Sequence, residues 1–313
     1  MSLMKLKPAC KDYLWGGERL IREYHKSFEG KRLAETWELS CHPDGPSIIE
    51  EGEGMGLSLQ EYIARQGQAI LGENAGRFSD FPILIKLIDA KDDLSIQVHP
   101  DNSYALEHEG QYGKTEMWYV MDCEEGAYLY YGFQKAIEKE EFAERIRNNT
   151  LTDVLRKVYV KKGDVLFIEA GTIHAIGKNI LIAEIQQNSN VTYRVYDYGR
   201  KGADGKLRDL HIEKALAVTN TDPVVREKSF SPHIAKCEYF TVDKIYLDGT
   251  GMKRLNGYAG KESFVHLLVL DGAGAVWSGS QVLSLAKGDS VLIPAGSGEF
   301  EITGALEALM TRV

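Results

Sequence analysis

The stretch Lys162-Gly163-Asp164-Val165-Leu166-Phe167-Ile168-Glu169-Ala170-Gly171 returns as Lys287-Gly288-Asp289-Ser290-Val291-Leu292-Ile293-Pro294-Ala295-Gly296, 125 residues on from Asp164 to Asp289. Each copy is a Gly-Asp turn, a short and mainly apolar run, and a second turn, so each reads as one strand between two reversals. A unit used twice predicts two β domains of one kind. Other segments agree: Phe81 to Ile88, Tyr128 to Tyr131 and Val165 to Ile168 are short runs bounded by turn residues, the punctuation of a β sandwich or barrel.

Two segments break the pattern. Leu57 to Arg65 has apolar residues at helical spacing with Ser58 as N-cap, and Lys139 to Val158 reads as two helices broken near Asn148-Asn149.

Against that β background, three residues carry ligand chemistry: His99 in Gln97-Val98-His99-Pro100, Glu116 in Gly113-Lys114-Thr115-Glu116, and His174 in Gly171-Thr172-Ile173-His174. Two imidazoles and a carboxylate are what a catalytic metal uses while keeping positions open for substrate. Strand alternation puts Gln97 and His99 on one face, and a neutral amide oxygen from Gln97 would make a fourth donor, which suits zinc better than an iron oxygenase. The set also fits non-haem Fe(II), so a zinc enzyme, an Fe(II) dioxygenase and a non-catalytic sugar binder all stand open at this point. His25, His42, His108, His211, His233 and His266 lack such company and receive no metal role. The 125-residue offset carries His174 onto Glu299, so the second copy keeps strand and turns but has no histidine there.

Composition narrows the partners. A formal net charge of -9 opposes binding to nucleic acid, and no stretch is long and apolar enough to span a membrane. Four scattered cysteines form no ligand spacing and suit a reducing, cytoplasmic setting. Gln186 to Lys201 is dense in hydrogen-bonding side chains interleaved with aromatics, which suits a polyhydroxylated ligand. Arg194 lies on its alternating strand, either projecting into the cavity or solvated beside Asp197. No phosphate-cradling glycine fingerprint follows a strand, so no nucleotide cofactor is expected.

Gly163, Gly171 and His174 resemble the second motif of the cupin family, although Glu169 replaces the usual proline and the expected later asparagine is displaced near Lys178-Asn179. The C-terminal copy looks like a degenerate cupin. Asp93 to Pro100, Gly113 to Glu116, Gly171 to Gly177 and Gln187 through Arg194 together resemble type I mannose-6-phosphate isomerase in its short bacterial form. Trp15-Gly16-Gly17 and Ala34 to Ser40 are similar to it too, and the likeness runs from near Pro8 to near Ala215.

The resemblance implies a mainly β chain of two cupin jelly-roll barrels with helical insertions in the N-terminal half: residues 1–228 the metal-binding catalytic domain, 229–313 a degenerate one. It further implies one Zn2+ per chain on His99, Glu116 and His174 with Gln97 as a further ligand. Arg194 becomes the active-site arginine, for enediolate or phosphate, and Lys114 a group for substrate or proton handling. The implied substrate is a phosphosugar, mannose 6-phosphate, converted to fructose 6-phosphate through an enediol.

Overall fold

Ile83–Ala90 and Ile180–Gln187 each form one strand buried along its whole length, which is why the first of them shows no alternation in sequence. They pair antiparallel in the middle of a six-stranded sheet, with Glu116–Cys123 and Val165–Ile168 on one side and Glu35–Leu39 and Ala9–Lys11 on the other. The computed structural model, which describes residues 2–202, 205–224 and 229–313, is mainly β, with three sheets among those residues.

Both faces of the six-stranded sheet are covered. On one, Ile88, Trp118, Val120 and Ile182 pack against Leu129 and Tyr131 of a five-stranded sheet and Ile176 just past one of its strands. That second sheet orders Tyr193–Tyr196, Ile96–Val98, His174–Ala175, Tyr128–Phe133 and Leu155–Tyr159. On the other face, Leu87, Met117 and Leu181 meet Met4, Phe240, Leu292 and Leu309. The back of the five-stranded sheet is closed by helices, with Phe142, Ile146 and Ala215 against Ile96, Val98 and Val195.

The nine-stranded sheet gathers the strands from Ala235 onward, joined by Met4–Lys7 and Ile48–Gly52 from the start of the chain. Lys5 pairs with Val291, inside the second copy of the repeat. The expected domain limit at residue 228 falls in 225–228, outside the described residues. No described helix is long and apolar enough to cross a membrane.

Of the two helical expectations, one holds and one needs correction. Leu59–Gln66 is a helix, and Ser58 forms a capping box with Glu61. Lys139–Arg147 is also a helix, but it stops at Asn148, Asn149 turns left-handed at φ 55°, and Leu155–Tyr159 is a strand. Pairing with Tyr128–Phe133 decides this segment: Leu155 and Val158 are buried and Lys157 and Tyr159 exposed, while the charges read as a helix surface. Helices at Asn102–Glu109 and Ile212–Val218 carry no clear signal in sequence, and the second lies beyond the N-terminal half.

His266 shows how the nine-stranded sheet is tied to the six-stranded one. It is fully buried, its Nε2–H donates to Ser290 Oγ at 2.8 Å, and Ser290 Oγ donates to the Glu38 carbonyl at 2.9 Å. Burial lowers its pKa to about 3, whereas in the unfolded chain a histidine titrates near 6.5. The unfolded state therefore binds the extra proton between those values, and stability falls as pH drops below 6.5, by up to about 1.4 kcal/mol per pH unit. Urea midpoints between pH 7 and 4 should fall more steeply for the native chain than for His266→Gln; parallel curves would contradict the assignment.

Candidate metal centre

The register of the five-stranded sheet sets Arg194 opposite Gln97 and Gln97 opposite His174, so three polar side chains stand in a row on one face. A second row crosses the six-stranded sheet, with Trp118 opposite Glu184, Glu184 opposite Lys86 and Lys86 opposite Trp37. Glu116 lies two residues before Trp118 and shares its face. The two rows meet across the interior above the apolar core.

His99 lies just past the strand Ile96–Val98, where the Gly171 N–H donates to its carbonyl at 2.8 Å. Pro100 and Asp101 then turn the chain into the helix Asn102–Glu109, with Asp101 Oδ1 accepting from Tyr104 N–H. On the return, Gly113 runs so close to this turn that a Cβ would lie 2.4 Å from the Asp101 carbonyl carbon, so glycine is required. Lys114 N–H donates to the Pro100 carbonyl at 3.0 Å. This loop fixes His99 and Glu116 relative to each other.

The three expected donors converge. His174 Nε2 lies 3.4 Å from Glu116 Oε1, His99 Nε2 lies 3.8 Å from Glu116 Oε2, and the donor atoms fall within 4.8 Å of one another. Four-coordinate zinc with bonds of about 2.1 Å spans donors about 3.4 Å apart, so these separations suit such an ion. All three side chains are fully buried.

Each imidazole is oriented by its other nitrogen. His99 Nδ1–H donates to the Val191 carbonyl and His174 Nδ1–H to the Thr172 carbonyl, both at 2.8 Å, leaving the two Nε2 lone pairs aimed inward. Burial, before any other effect, holds His174 down at about 4 and His99 well below its usual value, so both rings are neutral and able to ligate at neutral pH.

Charge in the pocket is unevenly shared. Burial and then the Glu184 charge push Glu116 up to about 7. Burial would raise Glu184 too, but Lys114 and Lys86 outweigh it and bring that carboxyl down to about 2. Glu116 Oε1 is buried with no hydrogen-bond partner, while Lys114 Nζ stands 2.5 Å from Oε2. A buried carboxylate oxygen left in this state calls for a cation. The donor set therefore fits a divalent metal.

Above the donors opens a cleft of about 300 Å³ lined by Gln97, Lys114, Glu184, Thr192, Arg194 and Arg208. A larger hollow of about 770 Å³ near Gly16, Arg32 and Lys91 carries neither the donors nor the side chains that touch them, whereas the smaller one is lined by Gln97 and Lys114, which stand against His174 and Glu116. Gln97 Nε2 lies 3.4 Å from His174 Nε2. Asp197 does not pair with Arg194: its carboxylate binds Arg200 and Arg208 instead.

Sequence reasoning passed over Lys86 and Glu184, the second pair of buried charges. Glu184 contacts Lys86 at 3.3 Å and Lys114 at 3.4 Å and accepts from Trp118 Nε1 at 2.9 Å. The available signal was a lone charge inside Ile83–Ala90 and another inside Ile180–Gln187, where burial leaves room for charge only when it is paired. Glu299, the position offset from His174, is exposed on the strand Gly298–Arg312. Among the described residues the His99, Glu116 and His174 group is the one cluster of metal-ligating type.

Residues 3–126 match the family described as phosphomannose isomerase type I, catalytic domain, and residues 231–313 match the mannose-6-phosphate isomerase cupin domain. The chain is 37% identical to mannose-6-phosphate isomerase ManA of Bacillus subtilis, covering 98% of each, and 37% identical to mannose-6-phosphate isomerase of Streptococcus mutans, covering 95% and 93%. The crystal structure of mannose 6-phosphate isomerase from Bacillus subtilis superposes with a TM-score of 0.90 at 34% identity over 100% of both chains. The fold is shared with a mannose 6-phosphate isomerase solved with zinc and yttrium, at 18% identity and a TM-score of 0.77 over 99% of both chains.

His99→Ala and Glu116→Ala should each lose metal by elemental analysis of the purified protein, because either change removes a donor from the set. Glu299→Ala should retain the metal content of the native chain. Full retention in the first two variants would place the metal elsewhere.

Proposed function

The chain belongs to the type I phosphomannose isomerase family, and we propose that it interconverts mannose 6-phosphate and fructose 6-phosphate in the cleft above His99, Glu116 and His174, with one zinc ion per chain. The observation that carries this reading is the buried donor set, oriented by its own backbone contacts and opening onto a polar cleft. A half-turn of the Gln97 amide brings its oxygen toward His174 Nε2 and adds a fourth donor. Bound there, zinc supplies Lewis-acid stabilisation to neighbouring sugar oxygens as negative charge develops on them.

The protein's own side chains do the rest. Aldose–ketose isomerisation removes a proton from C2 and returns it at C1. Lys114 is the group we assign to handling that proton: it lines the cleft and is held between Glu116 and Glu184. Glu184 is the anchor of the wall, ionised and fixed by Trp118 and two lysines. Trp15, Trp118 and Ile176 line the cleft with apolar surface, which keeps the charged groups poorly hydrated and their fields strong. Arg194 supplies a planar cation for a substrate oxyanion.

The same reading makes the six- and five-stranded sheets the first jelly-roll barrel and the nine-stranded sheet a second. Residues 1–228 form the catalytic unit, which lends two strands to the unit from 229 onward. Four unpaired cysteines accord with a cytoplasmic place of work. None of the relatives named above is an oxygenase or a binding protein without activity.

Zinc-loaded protein should form fructose 6-phosphate from mannose 6-phosphate in a coupled assay, lose the activity to a chelator and regain it with zinc. Arg194→Ala should keep its metal and lose about 10²-fold in kcat/KM, the scale of one lost charge-assisted contact to a substrate oxyanion. Folded, zinc-loaded protein that turns over no aldose 6-phosphate would reject the proposal.

A further inference from the structure

Building on the isomerase reading, we propose that Arg208 joins Arg194 to form the phosphate-holding end of the cleft and is the residue that makes the enzyme select phosphorylated over free sugar. Both side chains line the cleft. Arg194 makes no ion pair among the described residues: its Nε–H donates to Ser95 Oγ at 3.2 Å and its Nη1–H to the Asp209 carbonyl at 3.1 Å. Among the described residues Nη2 has no protein partner.

These contacts also settle which way the guanidinium leans. Ser95 lies two residues before Gln97 and four before His99, and a strand advances about 3.3 Å per residue, so the head is drawn along the sheet away from the metal donors. A hexose 6-phosphate carries its phosphate at the opposite end of the carbon chain from the reacting C1 and C2. The lean of Arg194 matches that separation.

Arg208 is placed by Asp197. Its Nε–H and Nη2–H donate to the two oxygens of that carboxylate at 2.7 and 2.5 Å, a bidentate grip that leaves Nη1 without a partner among the described residues. Arg200 shares Asp197 but is used up, with Nη1 on the Asp93 carbonyl, Nη2 on Asp197 Oδ1 and Nε on the Asp197 carbonyl, and it does not line the cleft. Two guanidiniums thus hold one buried carboxylate while Arg194 stays unpaired, and the surplus positive charge faces the cavity through Arg194 and Arg208. Burial and then the Arg208 charge disfavour the charged form of Arg194, a conflict that a bound anion relieves. A phosphate monoester carries close to two negative charges at neutral pH and accepts from two guanidinium edges at once.

The test uses zinc-loaded native protein, Arg208→Gln and Arg208→Lys, with thermal melts to verify folding. Steady-state kinetics are measured with mannose 6-phosphate and with free mannose, and inorganic phosphate binding is measured by calorimetry. Arg208→Gln should raise KM for mannose 6-phosphate about 10- to 100-fold with a much smaller effect on kcat, weaken phosphate binding by a similar factor and lower any slow turnover of free mannose far less. Arg208→Lys should recover part of the loss, since the charge returns without the fork. Unchanged KM and unchanged phosphate binding in folded Arg208→Gln would overturn the proposal, as would equal losses for free and phosphorylated mannose. If the native protein isomerises nothing yet Arg208→Gln still loses phosphate, the isomerase reading fails while the anion site stands.

Discussion

A carboxylate with no exposure, one of its oxygens without a hydrogen-bond partner, is the constraint on which the rest of this structure turns. Glu116 is flanked by two imidazoles that burial keeps neutral, so neither ring supplies positive charge. Lys114 touches one oxygen, and Glu184 competes for that same lysine. One oxygen of the carboxylate therefore faces the two neutral rings with no partner of its own, and a divalent cation there would satisfy it.

The scaffold explains how such a pocket is held open. The six-stranded sheet is buried on both faces, which gives Lys86, Glu116 and Glu184 a rigid, dry wall. The facing sheet contributes Gln97, His174 and Arg194 from three neighbouring strands in register. Because the row crosses strands, a slip of one residue in any of them would turn a ligand away from the site. The helices behind that sheet and the strands of the second unit behind the first sheet supply apolar packing that keeps the register fixed. The His266–Ser290–Glu38 chain ties the second unit to Glu35–Leu39, the strand that borders Lys86.

Much of this was legible in the sequence where local chemistry decides the outcome. His99, Glu116 and His174 stood out because each lies beside turn residues and strand patterns, and the capping box at Ser58 and Glu61 follows from spacing alone. Leu155–Tyr159 misled because its charges mimic a helix surface while its pairing partner, Tyr128–Phe133, lies far away in sequence. Glu184 and Lys86 were hidden for the same reason: their value lies in cross-strand contacts to each other and to Lys114, and nothing adjacent in sequence announces those contacts. Arg208 is oriented by Asp197, eleven positions earlier, through a loop whose course sequence does not dictate.

Two inward-facing Nε2 atoms and the Glu116 carboxylate are placed to hold one metal ion. Anomalous diffraction at the zinc edge from crystals of the zinc-loaded protein tests this most directly. A single strong peak is expected about 2.0–2.2 Å from Nε2 of His99, Nε2 of His174 and an oxygen of Glu116. A peak bound by other side chains, or none there in protein that retains stoichiometric zinc, would contradict it.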